Sequence, residues 1–494
     1  MANTSTLSEA QMLTLIKHGL PKTSTPKHIV IVGAGMAGLV SATLLKDAGH
    51  HVTILEASDR IGGRVFTLRS PFYDDQYIEA GAMRIPSSHQ LTMEYVSKFQ
   101  LPLNEFLNLT PNDLLYVNGV RSRRWVYEQD PDILRFPLAP HERGKTADEL
   151  AQLAVKPVID FINQDPERHW PIIIKKFDKY SMELFLRNNP VGPSLSAAAV
   201  NMINVMSGFE GFPELSFLEI LRDFILFTPT TRFYEISGGF DKLPHAFLPQ
   251  LQENIHCNCK MTKIIQYDNH VTIAGEQTQN FESFQVTADL AIITVPFTVL
   301  QFVEVEPFHS FSYHKRLAIR QLHYVASTKI GIQFSRRFWE ENGVYGGQSV
   351  TDLPIRLSYY PSHNFKSESG VVLASYTWED DALPWISMSK EEQVMKALKI
   401  MADIHGDVVY KTFVTGVAHN WSLDPFSAGA FTLFKPFQET YLSPYIATPE
   451  GRVHFAGEHA SDFHGWIQGA IQSAIRVAYE INEIPTHCSF VREQ

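Results

Sequence analysis

Gly33, Gly35 and Gly38 stand in the run Gly-Ala-Gly-Met-Ala-Gly, directly after the apolar pentapeptide HIVIV and before a segment with helical spacing. A glycine-rich turn in that setting is built to bring backbone N–H groups to a pyrophosphate. Gly33 permits the tight turn, Gly35 lets the chain approach the phosphates, and Gly38 lets the helix pack on the strand. Met36 and Ala37 open the helix, whose N-terminus faces the anion with free N–H groups and the positive end of its dipole. Glu56 lies 18 residues beyond Gly38 at the end of a second apolar strand. A carboxylate there accepts from ribose hydroxyls and repels a 2′-phosphate, which disfavours NADP. The run Ala57-Ser-Asp-Arg60-Ile-Gly-Gly63-Arg64 follows at once. It adds a second glycine pair and arginines able to fork onto a pyrophosphate, an element a plain NAD dehydrogenase does not need.

These motifs sit in elements that can be traced along the chain. HIVIV (28–32), HVTILEA (51–57), ADLAIITVP (288–296) and GRVHFAG (451–457) are continuous apolar runs, as in buried parallel strands. LVSATLLKDAG reads as a helix stopped at Gly49. The region 130–230 is helical in pattern, with TADELAQLAVKPVIDFINQ and FDKYSMELFLRN as its clearest stretches and Pro and Gly between them. ASTKIGIQF (326–334) and VVLASYTW (371–378) alternate, like strands with one wet face. WIQGAIQSAIRVAYEINE closes the chain as a helix. Nucleotide-type strands thus occur at the start, middle and end, which predicts an α/β protein whose Rossmann-type domain is assembled from discontinuous segments. The expected division is 27–70, 237–322 and 447–485 for that domain. A mixed-sheet substrate domain takes 1–26, 71–128, 231–236 and 323–446, and a helical insertion takes 129–230.

Bulk properties narrow the function. The 494 residues carry 42 basic and 53 acidic side chains, a net charge of −11, with no basic run. That argues against nucleic acid as a partner. The 33 Phe, 18 Tyr and 7 Trp suit a deep apolar pocket or a large core. Cys257, Cys259 and Cys488 are too few and too closely spaced for a disulfide framework or a metal site, and are expected as free thiols. The first 26 residues lack a basic segment followed by an apolar run, and Gly33, Gly35 and Gly38 break the most apolar stretch. A cytoplasmic protein without a membrane span is the expectation.

The sequence from GAGMAG through EASDRIGGRV resembles the flavin-containing amine oxidase superfamily, and HFAGEHASDFHGWIQGAIQSA (454–474) resembles its closing motif. The resemblance extends as a pattern of motifs over about 27–485. It implies FAD, with Gly457 and Glu458 near the ribityl–phosphate region and Trp466 and Ile467 meeting the flavin ring at a helix N-terminus. Met261, which could equally be a core methionine, and Trp421 are implied on the cofactor as well. Three stretches are similar to the L-amino acid oxidase branch. In Glu79-Ala-Gly81-Ala82-Met83-Arg84 the resemblance implies contact with the flavin, and Arg84 as the grip on a substrate carboxylate. STKIGIQFSRRFWEENGVYGGQSVTDLP with YYPSHNF implies Lys329 as the lysine that holds a water near the flavin. VVLASYTW implies Tyr376 as a second carboxylate ligand. Trp466 and the Gly465 carbonyl would then contact the substrate. Phe227 and Phe431 would shape the side-chain pocket, though both could equally be core residues.

Two departures from the family pattern stand out. Asp223 occupies the place of a histidine in animal-type oxidases, which bears on the substrate side chain. Ser427-Ala-Gly-Ala-Phe431 lacks the cysteine of covalently flavinylated members, so FAD is expected to be non-covalent. The resemblance therefore implies a homodimeric oxidase. It takes L-amino acids, with hydrophobic or aromatic or with varied side chains, and O2 to 2-oxo acids, ammonia and peroxide. The alternatives are a monoamine or polyamine oxidase, an amino-acid monooxygenase, and a silent FAD-binding scaffold.

Overall fold

The computed structural model describes residues 7–212, 214–227, 230–365 and 367–483. Cys488 and the last two positions of the segment 447–485 lie outside them, as do residues 1–6, 213, 228, 229 and 366 of the other expected segments.

HIVIV is apolar at every position because both of its faces are covered. It pairs in parallel with His51–Leu55 on one side and Leu290–Ile293 on the other. Val453–Phe455 and Ile255–His256 extend the sheet to five strands. Ile29 and Ile31 point to the side packed by the helices Met36–Ala48 and Ile467–Glu483. Val30 and Val32 point the other way, onto an antiparallel meander of Cys259–Gln266, Val271–Gln277 and Ser283–Ala288. The helix Met36–Ala48 stops where Gly49 adopts a left-handed conformation. One sheet thus draws strands from the start, middle and end of the chain, consistent with the α/β expectation.

A second, seven-stranded mixed sheet contains Ser327–Phe334 flanked by Gly370–Trp378 and Phe413–Asn420. Contrary to their alternating pattern, 326–334 and 371–378 do not have one wet face. Ser327–Phe334 is buried along its whole length, and Gly370–Trp378 nearly so. The helix Lys390–His405 covers one face and the helical region the other.

The helical region contains Ala147–Gln164, Pro166–Phe177, Met182–Arg187, Ala197–Ser207 and Phe217–Leu226. Thr146 and Glu149 form a capping box at the first of these. Two readings change. FDKYSMELFLRN is a turn followed by a six-residue helix capped by Ser181. Pro171, in the stretch expected to be punctuated by Pro and Gly, lies inside the helix Pro166–Phe177. Among the described residues no helix is long and apolar enough to cross a membrane.

Candidate active site

A single cavity of about 1820 Å³ runs between the parallel sheet, the seven-stranded sheet and the helical region. It exceeds the roughly 300–1,000 Å³ of a pocket for one drug-sized ligand. There is room for a dinucleotide and a small substrate end to end. Of the individual cofactor and substrate residues expected from the sequence, all but Gly38 line it.

At the nucleotide end, Gly33 has φ 108°, and a side chain there would collide with the Thr294 hydroxyl. Gly38 does not reach the cavity because it is spent on packing: a Cβ would strike the Gly33 carbonyl. The two glycine motifs meet backbone to backbone. Gly62 N–H donates to the Ala34 carbonyl at 2.8 Å, and a Cβ on Gly63 would sit 3.3 Å from Gly35 Cα. Together they form a cradle that only glycine leaves open. Glu56 is buried at the rim and accepts from Ala34 N–H at 2.7 Å and from Ser58. Met261 lies at a bulge in its strand, where the backbone leaves the regular ladder.

The middle of the cavity is crossed by an ion pair. Arg64 Nη1 donates to Glu458 Oε1 at 2.7 Å and to the Ala430 carbonyl. Glu458 also accepts from the N–H groups of Gly465 and Thr432, which ties the closing motif to the second glycine pair. Arg60 stacks on Phe66 at 3.8 Å and donates to the Gly63 carbonyl, holding the turn that carries Arg64. Trp421 is pinned by its indole N–H on the Ala80 carbonyl. Gly81 is required, since a Cβ would overlap the Arg64 carbonyl. The donors and glycine cradle fit a bound flavin dinucleotide.

At the far end, Lys329 and Tyr376 are directly opposed on antiparallel strands and project from one face. Lys329 Nζ donates to the carbonyls of Gly81 at 2.7 Å and Glu79 at 3.1 Å and sits 4.3 Å from the Tyr376 ring centre. Burial, helped by Arg84, pulls the Lys329 ammonium down to about 7 against the pull of Glu79. Burial pushes the Glu79 carboxyl up to about 8 and the Tyr376 hydroxyl up to about 12. Arg84 uses one nitrogen, Nη1, on Asn108 and Tyr359. Its other nitrogens donate to none of the described residues, so half of its fork is open to a ligand. Trp466 packs against His89 at 4.9 Å and Phe227 at 5.5 Å, forming an aromatic wall. Phe431 lies against Gly465, whose Cβ would stand 3.1 Å from its ring.

The family model for flavin-containing amine oxidoreductases matches residues 36–482. The chain belongs to this family. It is 53% identical over 480 residues to the protein of Bacillus subtilis (strain 168) named "Putative L-amino-acid oxidase YobN", covering 97% of this chain and 99% of that one. It is 40% identical to the L-amino-acid oxidase of Siganus canaliculatus, covering 96% of this chain and 88% of the other. Cyclohexylamine oxidase from Brevibacterium oxydans IH-35A superposes with a TM-score of 0.74 at 18% identity, over 93% of this chain and 99% of that one, a likeness of fold.

Within this amine oxidase framework, several lining residues had no signal in the sequence. Asn108 and Tyr359 orient Arg84 from 24 and 275 residues away. Buried His89 backs Trp466, and burial holds its imidazole down to about 3, hence neutral. Glu219 accepts from His464 Nδ1 at 2.8 Å and from Phe434 N–H. Burial opposes charge on both partners, yet their attraction outweighs it, raising His464 and depressing Glu219. Among the described residues no cluster of side chains is suited to a metal ion.

Proposed function

We propose that this amine oxidase is an L-amino-acid oxidase with non-covalently bound FAD. It would convert an L-amino acid, O2 and water to a 2-oxo acid, ammonia and hydrogen peroxide. The observation that carries the reading is Arg84: a guanidinium on the wall of the cavity beside Lys329 and Tyr376, with half its donors unclaimed. A simple amine gives such a group nothing to bind, whereas a carboxylate matches its fork. The relatives named L-amino-acid oxidase support the same choice.

In this reading the segments 27–70, 237–322 and 447–485 hold the FAD, through the Gly33–Gly38 turn, Glu56, the Arg64–Glu458 pair, Met261, Trp421 and the start of the helix at Ile467. Ser427 stands where a covalent link would need cysteine. The flavin supplies two-electron redox chemistry between the amino acid and O2. Arg84 and the Tyr376 hydroxyl hold the substrate carboxylate, and the Gly465 carbonyl accepts from the amine. Trp466, Phe227 and Phe431 exclude water and receive the side chain. With its pKa near neutral, Lys329 Nζ can take up or release a proton at working pH, as hydrolysis of an imino acid to ammonia and 2-oxo acid requires. Positioning by Arg84 and Tyr376 supplies much of the rate.

Product analysis tests the proposal. Incubation with L-amino acids in air should release 2-oxo acid, ammonia and peroxide in equal amounts. A shortened amide product would make the enzyme a monooxygenase, and turnover of simple amines alone would leave the site at Arg84 without a role.

A further inference from the structure

Asp223 lies on the helix Phe217–Leu226, one turn before Phe227, and lines the far end of the cavity. It is only half-buried, although protein surrounds it on every side, as befits a carboxylate facing an internal space. Its backbone carbonyl accepts from Phe227 N–H at 2.8 Å, but its carboxylate makes no hydrogen bond or ion pair with any described residue. None of its charged neighbours bonds it, and each holds another partner. Glu219 holds His464, and Arg222 donates to Glu439 at 2.7 Å and stacks over Trp170 at 5.2 Å. Arg84 bonds Asn108 and Tyr359.

We propose that Asp223 selects L-amino acids whose side chain is an apolar stem ending in a cation, such as lysine or arginine. This rests on the amino-acid oxidase reading above and names its substrate class. An unpaired carboxylate beside an aromatic wall complements a methylene chain with an ammonium or guanidinium at its tip. The α-nitrogen is the wrong partner for it. A carboxylate there would stabilise the ammonium form, which cannot give up electrons, and so oppose the reaction. Burial and the nearby Glu219 hold the Asp223 carboxyl up to about 7, against Arg84 and Arg222. An entering cation favours release of that proton and lets the ion pair form.

The test compares L-lysine with L-norleucine, which has the same stem without the cation, by peroxide release from the holoenzyme. In the wild type kcat/KM should be higher for lysine. In Asp223→Asn the lysine-to-norleucine ratio should fall roughly 10- to 100-fold, the worth of a charge-assisted hydrogen bond. A wild-type preference for norleucine would overturn the inference without any variant. So would an Asp223→Asn variant that retains the ratio, or loses activity equally on both substrates. An enzyme that oxidises norleucine, leucine and phenylalanine but ignores lysine sinks only this inference. A flavin-loaded protein that oxidises no L-amino acid sinks the proposed function with it.

Discussion

Replacing Lys329 with methionine should make the protein more stable at neutral pH while impairing turnover. The ammonium is drawn from its ordinary 10.5 to about 7, with burial as the main cause. At ~1.4 kcal/mol per unit, that opposes folding by up to roughly 5 kcal/mol at pH values below 7. Against this stand the bonds to the Gly81 and Glu79 carbonyls, whose loss costs about 1–3 kcal/mol. Methionine fills a similar volume and leaves no charge to desolvate, so a net gain of roughly 2 kcal/mol remains. The sign follows from proton counting. Between about 7 and 10.5 the unfolded chain holds a proton on Lys329 that the folded protein has shed. Wild-type stability therefore rises with pH through this window, and the variant lacks that rise. Thermal unfolding at matched flavin occupancy should show Lys329→Met ahead by a few degrees near neutrality, with the gap closing as pH approaches 10.5. A variant less stable than wild type at neutral pH, or a gap that ignores pH, would refute the account of a desolvated lysine.

Arg84→Ala should lower kcat/KM for L-amino acids by about 1.5–3 kcal/mol of transition-state binding, and unchanged steady-state kinetics would remove Arg84 from the site. Gly38→Ala drives a methyl into the Gly33 carbonyl. A loss of roughly 1–3 kcal/mol from overpacking, with weaker flavin retention on gel filtration, is the expected outcome; a stable yellow variant contradicts the packing role. Activity on L-amino acids should rise between about pH 6 and pH 10 as the substrate ammonium deprotonates, and a profile that stays flat into the alkaline range would argue against a neutral amine as the reacting form.

What was legible in the sequence was local. The Gly33–Gly38 turn, its flanking strand and helix, and Glu56 stand close in the chain, and glycine at those places answers a steric demand that any reader can name. The meeting of that turn with Gly62 and Gly63 was not legible, because a parallel backbone contact between two loops leaves no periodicity. Strand Ser327–Phe334 misled for a different reason. Lys329 and Gln333, four apart on one face, mimic a solvent face, yet each is buried against a specific partner: the Gly81 carbonyl and the backbone of Tyr73. Polar residues buried in pairs look the same in sequence as polar residues in water. The partners that aim Arg84, and the Glu219–His464 pair, come from segments far apart in the chain and required the fold to bring them together.

The most direct measurement is flavin absorbance after anaerobic mixing with L-amino acids, D-amino acids and simple amines. The account predicts that L-amino acids alone bleach the flavin, and that air restores the colour with release of peroxide and ammonia. Bleaching by amines that lack a carboxylate, with L-amino acids inert, would contradict it.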